Sequence, residues 1–169
     1  MRVAWAGDAD AIAAVQVRAW REGYADLAGT LPDVAEVAEV WRRSLTAPGD
    51  ARNRVLVALD RARVTGFAVT LPAADPDCDP VRDAELGELV VAASDRGRGH
   101  GSRLLQAAVD TLVADRFTRA VCWVTATDDA LRAFLTRAGW AADGAHRRLD
   151  LAGDGVTTVA QVRLHTGLV

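Results

Sequence analysis

The stretch Glu85–Asp115, ELGELVVAASDRGRGHGSRLLQAAVDTLVAD, decides the fold of this chain. Its apolar opening (Leu86, Leu89, Val90, Val91) reads as a strand, and Arg96-Gly97-Arg98-Gly99-His100-Gly101 as a turn. Leu105, Ala108, Val109 and Leu112 then recur at helical spacing. A strand that enters a glycine-rich turn and leaves as a helix gathers free backbone N–H groups at the positive end of a helix dipole. Such a point suits a phosphate or diphosphate. Gly97, Gly99 and Gly101 allow the backbone to approach that ligand closely, and Arg96 and Arg98 bring fixed positive charge beside it. His100 is either a neighbour of the diphosphate or an exposed turn residue. Ser102, just inside the helix, has a hydroxyl that can cap it and donate to a phosphate oxygen.

Spacing separates the anion cradles. The nucleotide P-loop requires a lysine, and the chain has none. The dinucleotide fingerprint requires G-x-G-x-x-G, which Gly97-x-Gly99-x-Gly101 does not supply. Arg96-x-x-Gly99-x-Gly101 resembles the acetyl-CoA signature [QR]-x-x-G-x-[GA] of the GNAT acetyltransferase superfamily. Leu89-Val90-Val91 stands where that family has its L-Y-V strand, and Phe134–Trp140 (FLTRAGW) is similar to its F-Y-x-x-x-G-F segment. Val17–Tyr24 (VRAWREGY) is similar to the first helix and following loop of many bacterial members. The resemblance covers most of the chain in the family's order.

Composition sets bounds that agree with this. A chain of 169 residues, half of them apolar, forms one domain spanning 1–169 with a full core. No apolar run reaches membrane-spanning length, so no membrane is expected. A net charge of −3 with scattered arginines argues against nucleic acid. No leader pattern opens the chain, which points to the cytoplasm and to free thiols at Cys78 and Cys122, the latter a core residue. His146 and His165 are too isolated for a metal site, and no metal is expected. Asp75, Asp77, Asp79 and Asp83 lack the glycine and distal glutamate of a calcium loop and read as a solvated acidic loop.

Periodicity and breakers place the remaining elements. Strands are expected over 1–6, 54–59, 64–71, 118–125, 146–151 and 157–165. Helices are expected over 9–21, capped by Asp8, over 31–45, begun by Pro32, and over 128–138, stopped by Gly139. Trp5, Trp41, Trp123 and Trp140 are assigned mainly to the core. The pattern is that of an α/β (α+β) domain. The resemblance implies a GNAT-type mixed, splayed central sheet of about seven strands flanked by about four helices. It also implies that the main chain of Leu89, Val90 and Val91 pairs with a pantetheine arm, one strand amide serving the thioester carbonyl as oxyanion donor. By the same analogy Asp128 and Phe134 lie near the cofactor, although Asp128 is equally an N-cap.

The implied activity is transfer of an acetyl group from acetyl-CoA to a primary amine of a small molecule or peptide, by direct attack in a ternary complex. Since an alkylammonium has a pKa near ~10, a base must take its proton. Glu85 and Glu88 are the strand carboxylates for that task, with ordinary solvated glutamates as the bland alternative. Trp20 and Tyr24 are expected at the wall of the acceptor pocket. Leu135 stands where many members have a proton-donating tyrosine. Water, Ser94 or Thr127 would have to replace it, unless the thiolate, from a thiol of pKa ~8.5, leaves unaided. That departure supports a rival, a non-catalytic acyl-CoA-binding module of the same fold. Neither the acceptor nor the choice between monomer and homodimer is readable from the residues.

Overall fold

The computed structural model describes residues 1–25, 31–151 and 153–169. Its elements are β1 (Arg2–Val3), α1 (Ala9–Gly23), α2 (Val34–Thr46), β2 (Arg54–Asp60), β3 (Arg63–Pro72) and β4 (Asp83–Val91). There follow α3 (His100–Ala114), β5 (Arg119–Thr125), α4 (Asp129–Arg137), β6 (Ala141–Asp150) and β7 (Thr158–Gly167). The strands form a seven-stranded sheet in the order β1-β2-β3-β4-β5-β7-β6. The sheet is mixed: β4 and β5 run parallel, whereas β1–β2, β2–β3, β5–β7 and β6–β7 are antiparallel. The expected class, strand number and helix number all hold.

The chain divides into two compact units, Met1–Leu71 with Glu88–Thr111, and Pro72–Gly87 with Leu112–Val169. In the first, the stripe Ile12, Val15 of α1 packs on Val57, Val64 and Phe67 of the β2–β3 hairpin, with Ala92 beyond β4. Ala13 and Val17, one position round the helix, meet Val37 and Ala38 of α2. A stripe this wide on α1 lets it contact hairpin and helix at once. In the second unit, Phe117, Val121, Val124, Leu135, Trp140 and Leu164 are buried. Within the second unit β4 pairs with β5 from Asp83↔Arg119 to Glu85↔Val121.

Several boundaries depart from expectation for identifiable reasons. Helix α2 starts at Val34, not at Leu31, because Asp33 and Glu36 form a reciprocal capping box: each side chain accepts the other's backbone N–H, at 2.8 and 3.0 Å. Asp8 precedes α1 but makes no cap bond. Its carboxylate takes a bidentate Arg2 and the Trp5 N–H instead, and that pairing lowers its pKa. Trp5 is 61% exposed, with the Arg2 guanidinium 3.7 Å over its ring, so it is not a core residue. Strand β6 begins at Ala141, five residues ahead of the expected start. Its first part is disguised by Gly144, whose φ of +88° accompanies a register shift between Ala142 and His146.

Candidate functional site

The strand–turn–helix unit is built as a donor surface. After β4 the Ala92 N–H bonds to Thr65 O at 2.9 Å, and residues Ala93–Asp95 make a 3-10 turn. Asp95 is buried and takes both Arg63 guanidinium nitrogens at 2.8 Å, with Ser94 and Arg98 at 3.1 and 3.2 Å. These partners, the Arg63 bond foremost, hold its carboxyl far below the usual range. The turn is therefore pinned from beneath. Gly97 and Gly99 follow with φ of +74° and +79°, conformations that side chains other than glycine's rarely adopt.

Arg103 N–H makes the first helical bond, to Gly99 O at 3.2 Å, while its side chain donates to the carbonyls of Arg98 (3.1 Å) and Gly99 (3.2 Å). The Arg98 and Gly99 carbonyls are thus occupied. The N–H groups of His100, Gly101 and Ser102 precede that first bond and have no partner within the helix. N–H groups gathered at a helix start in this way suit a diphosphate. Arg96 and Arg98 stand beside it, 60% and 55% exposed. Arg96 donates to Val91 O and pairs with Glu22 at 3.6 Å; Arg98 pairs with Asp60 and Asp95. The exposed pairs of Arg96 with Glu22 and of Arg98 with Asp60 contribute about 0–1 kcal/mol and exchange readily for a better anion. His100 is buried, not an exposed turn residue, and its Nδ1 lies 3.4 Å from Arg103. Ser102 is exposed, and among the described residues its hydroxyl makes no cap bond.

Leu89, Val90 and Val91 end the strand half-buried. Next to them is Gly66 of β3, where an added Cβ would stand 2.5 Å from Val90 O and 3.1 Å from Val91 Cα. Glu88 belongs to the same unit. Burial pushes its carboxyl up to about 7. Its hydrogen-bond partner is Gln16 of α1, whose amide nitrogen donates at 3.1 Å. Gln16 is buried at a core position and accepts the indole N–H of Trp41 at 2.7 Å. Gln16 and Trp41 also line a groove of about 300 Å³ between α1 and α2, shared with Trp20, Pro32, Val37 and Val40. Tyr24, just past the end of α1, is not among the lining residues.

The second unit holds the other candidates. Burial also raises the Glu85 carboxyl, opposed by Arg147 and aided by Asp75. The acidic loop is not merely solvated, as expected, but anchored. Arg163 of β7 is buried and takes Asp77 in a bidentate pair (2.5 and 2.7 Å), Asp143 at 2.8 Å and Asp75 at 3.4 Å. Trp123 donates its indole N–H to Asp75 at 2.8 Å. Asp75, Asp77 and Cys78 lie close enough to suggest a cation site, yet both carboxylates already face this guanidinium. Asp128 caps α4 by accepting the Leu131 N–H at 2.9 Å, and Phe134 is half-buried in that helix. Leu135 and Cys122 are core residues.

Sequence reasoning overlooked Gln16, Trp41 and Gly66. Their signals were present: a polar residue four places after Ile12 on the buried stripe of α1, and a glycine inside an apolar strand. A family model described as Acetyltransferase (GNAT) family matches residues 15–140. No curated protein matches. Among solved structures, ribosomal-protein-alanine N-acetyltransferase from Brucella melitensis superposes with a TM-score of 0.76 at 21% identity, covering 99% of this chain and 98% of that one. A GCN5-related N-acetyltransferase from Kribbella flavida gives 0.70 at 22%, covering 99% and 96%. The yncA protein of Salmonella typhimurium, solved with its cofactor acetyl-CoA, gives 0.70 at 18%, covering 99% and 92%. At these identities the likeness is one of fold.

Proposed function

Because this chain belongs to the acetyltransferase (GNAT) family, we propose that it moves an acetyl group from acetyl-CoA to a primary amine of a small molecule or peptide, with Glu88 as the base. The observation that carries this reading is a carboxyl held near 7 by burial, on the strand that leads into the diphosphate-binding turn. A base poised near neutrality is half ionised at working pH and matched to proton transfer. We also carry forward residues 1–169 as one functional domain.

Acetyl-CoA supplies the activated acyl group as a thioester. The N–H groups of His100, Gly101 and Ser102, with Arg96 and Arg98 drawn from their surface pairs, bind the diphosphate. The main chain of Leu89–Val91 aligns the arm that follows. The groove lined by Trp20, Val37, Val40 and Trp41 takes the carbon portion of the acceptor. Glu88 removes one proton from the ammonium; the amine nitrogen bonds to the acyl carbon, the carbon–sulfur bond breaks, and the second proton shed by the nitrogen passes to the departed thiolate. With Leu135 buried, the thiolate leaves without a tyrosine donor. Cys122, also buried, forms no acyl-enzyme.

A thiol-release assay with acetyl-CoA and a panel of amines tests this. Glu88→Gln should lower kcat/KM about 10²–10⁴-fold and remove the inflection near pH 7, while CoA affinity by calorimetry stays unchanged. Glu85→Gln serves as the parallel arm, and loss of the inflection there instead would move the base to Glu85. Binding of acetyl-CoA with no thiol release from any amine would favour the acyl-CoA-binding module.

A further inference from the structure

Gln16 is the most anomalous residue of the first unit. It sits on the buried stripe of α1 beside Ala13 and Val17, where an apolar side chain would cost nothing to bury, yet it is an amide and almost fully enclosed. Both of its ends are engaged. An indole nitrogen can only donate, so Trp41 Nε1–H at 2.7 Å must meet the Gln16 carbonyl oxygen. That fixes the orientation of the amide and turns its NH2 toward Glu88 Oε1 at 3.1 Å. Trp41 is itself locked: its ring packs edge-on against fully buried Phe67, centroids 5.4 Å apart at 75°. The chain Phe67–Trp41–Gln16–Glu88 therefore leads from the hairpin core through α2 and α1 to a single carboxylate oxygen.

We propose that Gln16 and Trp41 are positioning residues for the general base: Trp41 sets the amide of Gln16, and Gln16 holds one oxygen of Glu88 so that the other is left to accept the proton. The inference rests on the reading of Glu88 as base. Among the described residues no ion pair reaches Glu88, and Gln16 is its hydrogen-bond partner. Of the charged groups on α1 and α2, Glu22 pairs with Arg96, Glu36 closes the cap of α2, and Arg42 pairs with Asp10 and Glu39. Burial and Gln16 are thus the two influences on this carboxyl, and they oppose each other. The amide donor favours the ionised form, which keeps the carboxyl from rising beyond the range where it can work as a base. Gln16 and Trp41 also line the groove, so Gln16 meets both Glu88 and the acceptor space.

The test is the titration of Glu88 itself, followed by NMR of the 13C-labelled carboxyl in the full chain, with pH–rate profiles alongside. Gln16→Leu should raise the Glu88 midpoint by about one pH unit and carry the rate inflection with it. At pH 7 kcat should fall about fivefold for the same reason, the ionised fraction dropping from one half to about one tenth. Trp41→Phe keeps the packing on Phe67 but frees the amide to turn, so a smaller rise of the same sign is expected. The double variant should titrate as Gln16→Leu alone, since Trp41 acts only through Gln16. It also leaves no orphaned indole N–H, so it folds at least as well as the single Leu variant. An unmoved Glu88 midpoint in Gln16→Leu, or additive shifts in the double variant, would overturn the inference. Failure of the base reading is a separate result: Glu88→Gln would then keep the wild-type rate profile, whatever the NMR titrations report.

Discussion

Among the carboxyls that link stability to pH in this protein, Glu88 is the one that acts near neutrality. Burial lifts it from 4.5 to about 7, so the folded chain binds its proton more tightly than the unfolded chain does. The stability this represents is full below about pH 4.5 and is lost as pH rises through 7. Above that the ionised, buried carboxylate is a burden on the order of 3 kcal/mol. Glu88→Gln should therefore unfold at higher denaturant than wild type at pH 8, with the difference closing below pH 5; equal midpoints at both pH values would contradict this. Gly99 is the other decisive residue. No atom stands within contact of an added Cβ except Arg103 Nη2 at 3.9 Å, so space is not the constraint. Its φ of +79° is, and Gly99→Ala should cost about 1 kcal/mol. It should also weaken acetyl-CoA binding measurably by calorimetry, because the bend that aims the N–H groups must open.

Strand β4 is shaped by its neighbour. At Gly66 a methyl group would stand 2.5 Å from Val90 O, a backbone atom that cannot swing away. Gly66→Ala should push the last residues of β4 outward, cost about 1–3 kcal/mol, and reduce both acetyl-CoA affinity and kcat although it touches neither ligand. An unchanged affinity would show that β4 tolerates the shift. In the second unit, β7 performs a comparable service for the 73–82 loop. Removing Arg163 leaves Asp143 to Arg119 and Asp75 to the more distant Arg147, so two largely enclosed carboxylates lose a counter-charge each. Arg163→Met should destabilise by about 3 kcal/mol and accelerate amide exchange at Cys78 and Arg82, whose N–H groups close the turns of that loop. Intact protection there would mean the loop holds itself.

For the molecule as a whole, the reading of one functional domain expects a single cooperative transition, with amides of β3 and β7 exchanging at one common free energy. Two separate plateaus would make the two compact units independent in folding. No helix among the described residues is long and apolar enough to cross a membrane. Local rules made much of the fold legible: apolar, β-branched runs marked β2 and β3, a capping aspartate and a stopping glycine bounded α4, and the Arg96–Gly101 spacing pointed to the family. Where a long-range partner overrode local preference, the chain misled, as with Trp5 stacked under Arg2 and the start of β6 hidden by a glycine bulge. The site divides the same way. Donors of a turn are set by consecutive residues, so the glycine-rich bend and the helix that follows it could be read from six letters. Which of two glutamates is poised near neutrality depends on what surrounds each, and Gln16 lies 72 residues from Glu88 in the chain. Desolvation and side-chain pairing are properties of packed neighbours, and only the folded chain decides who those neighbours are.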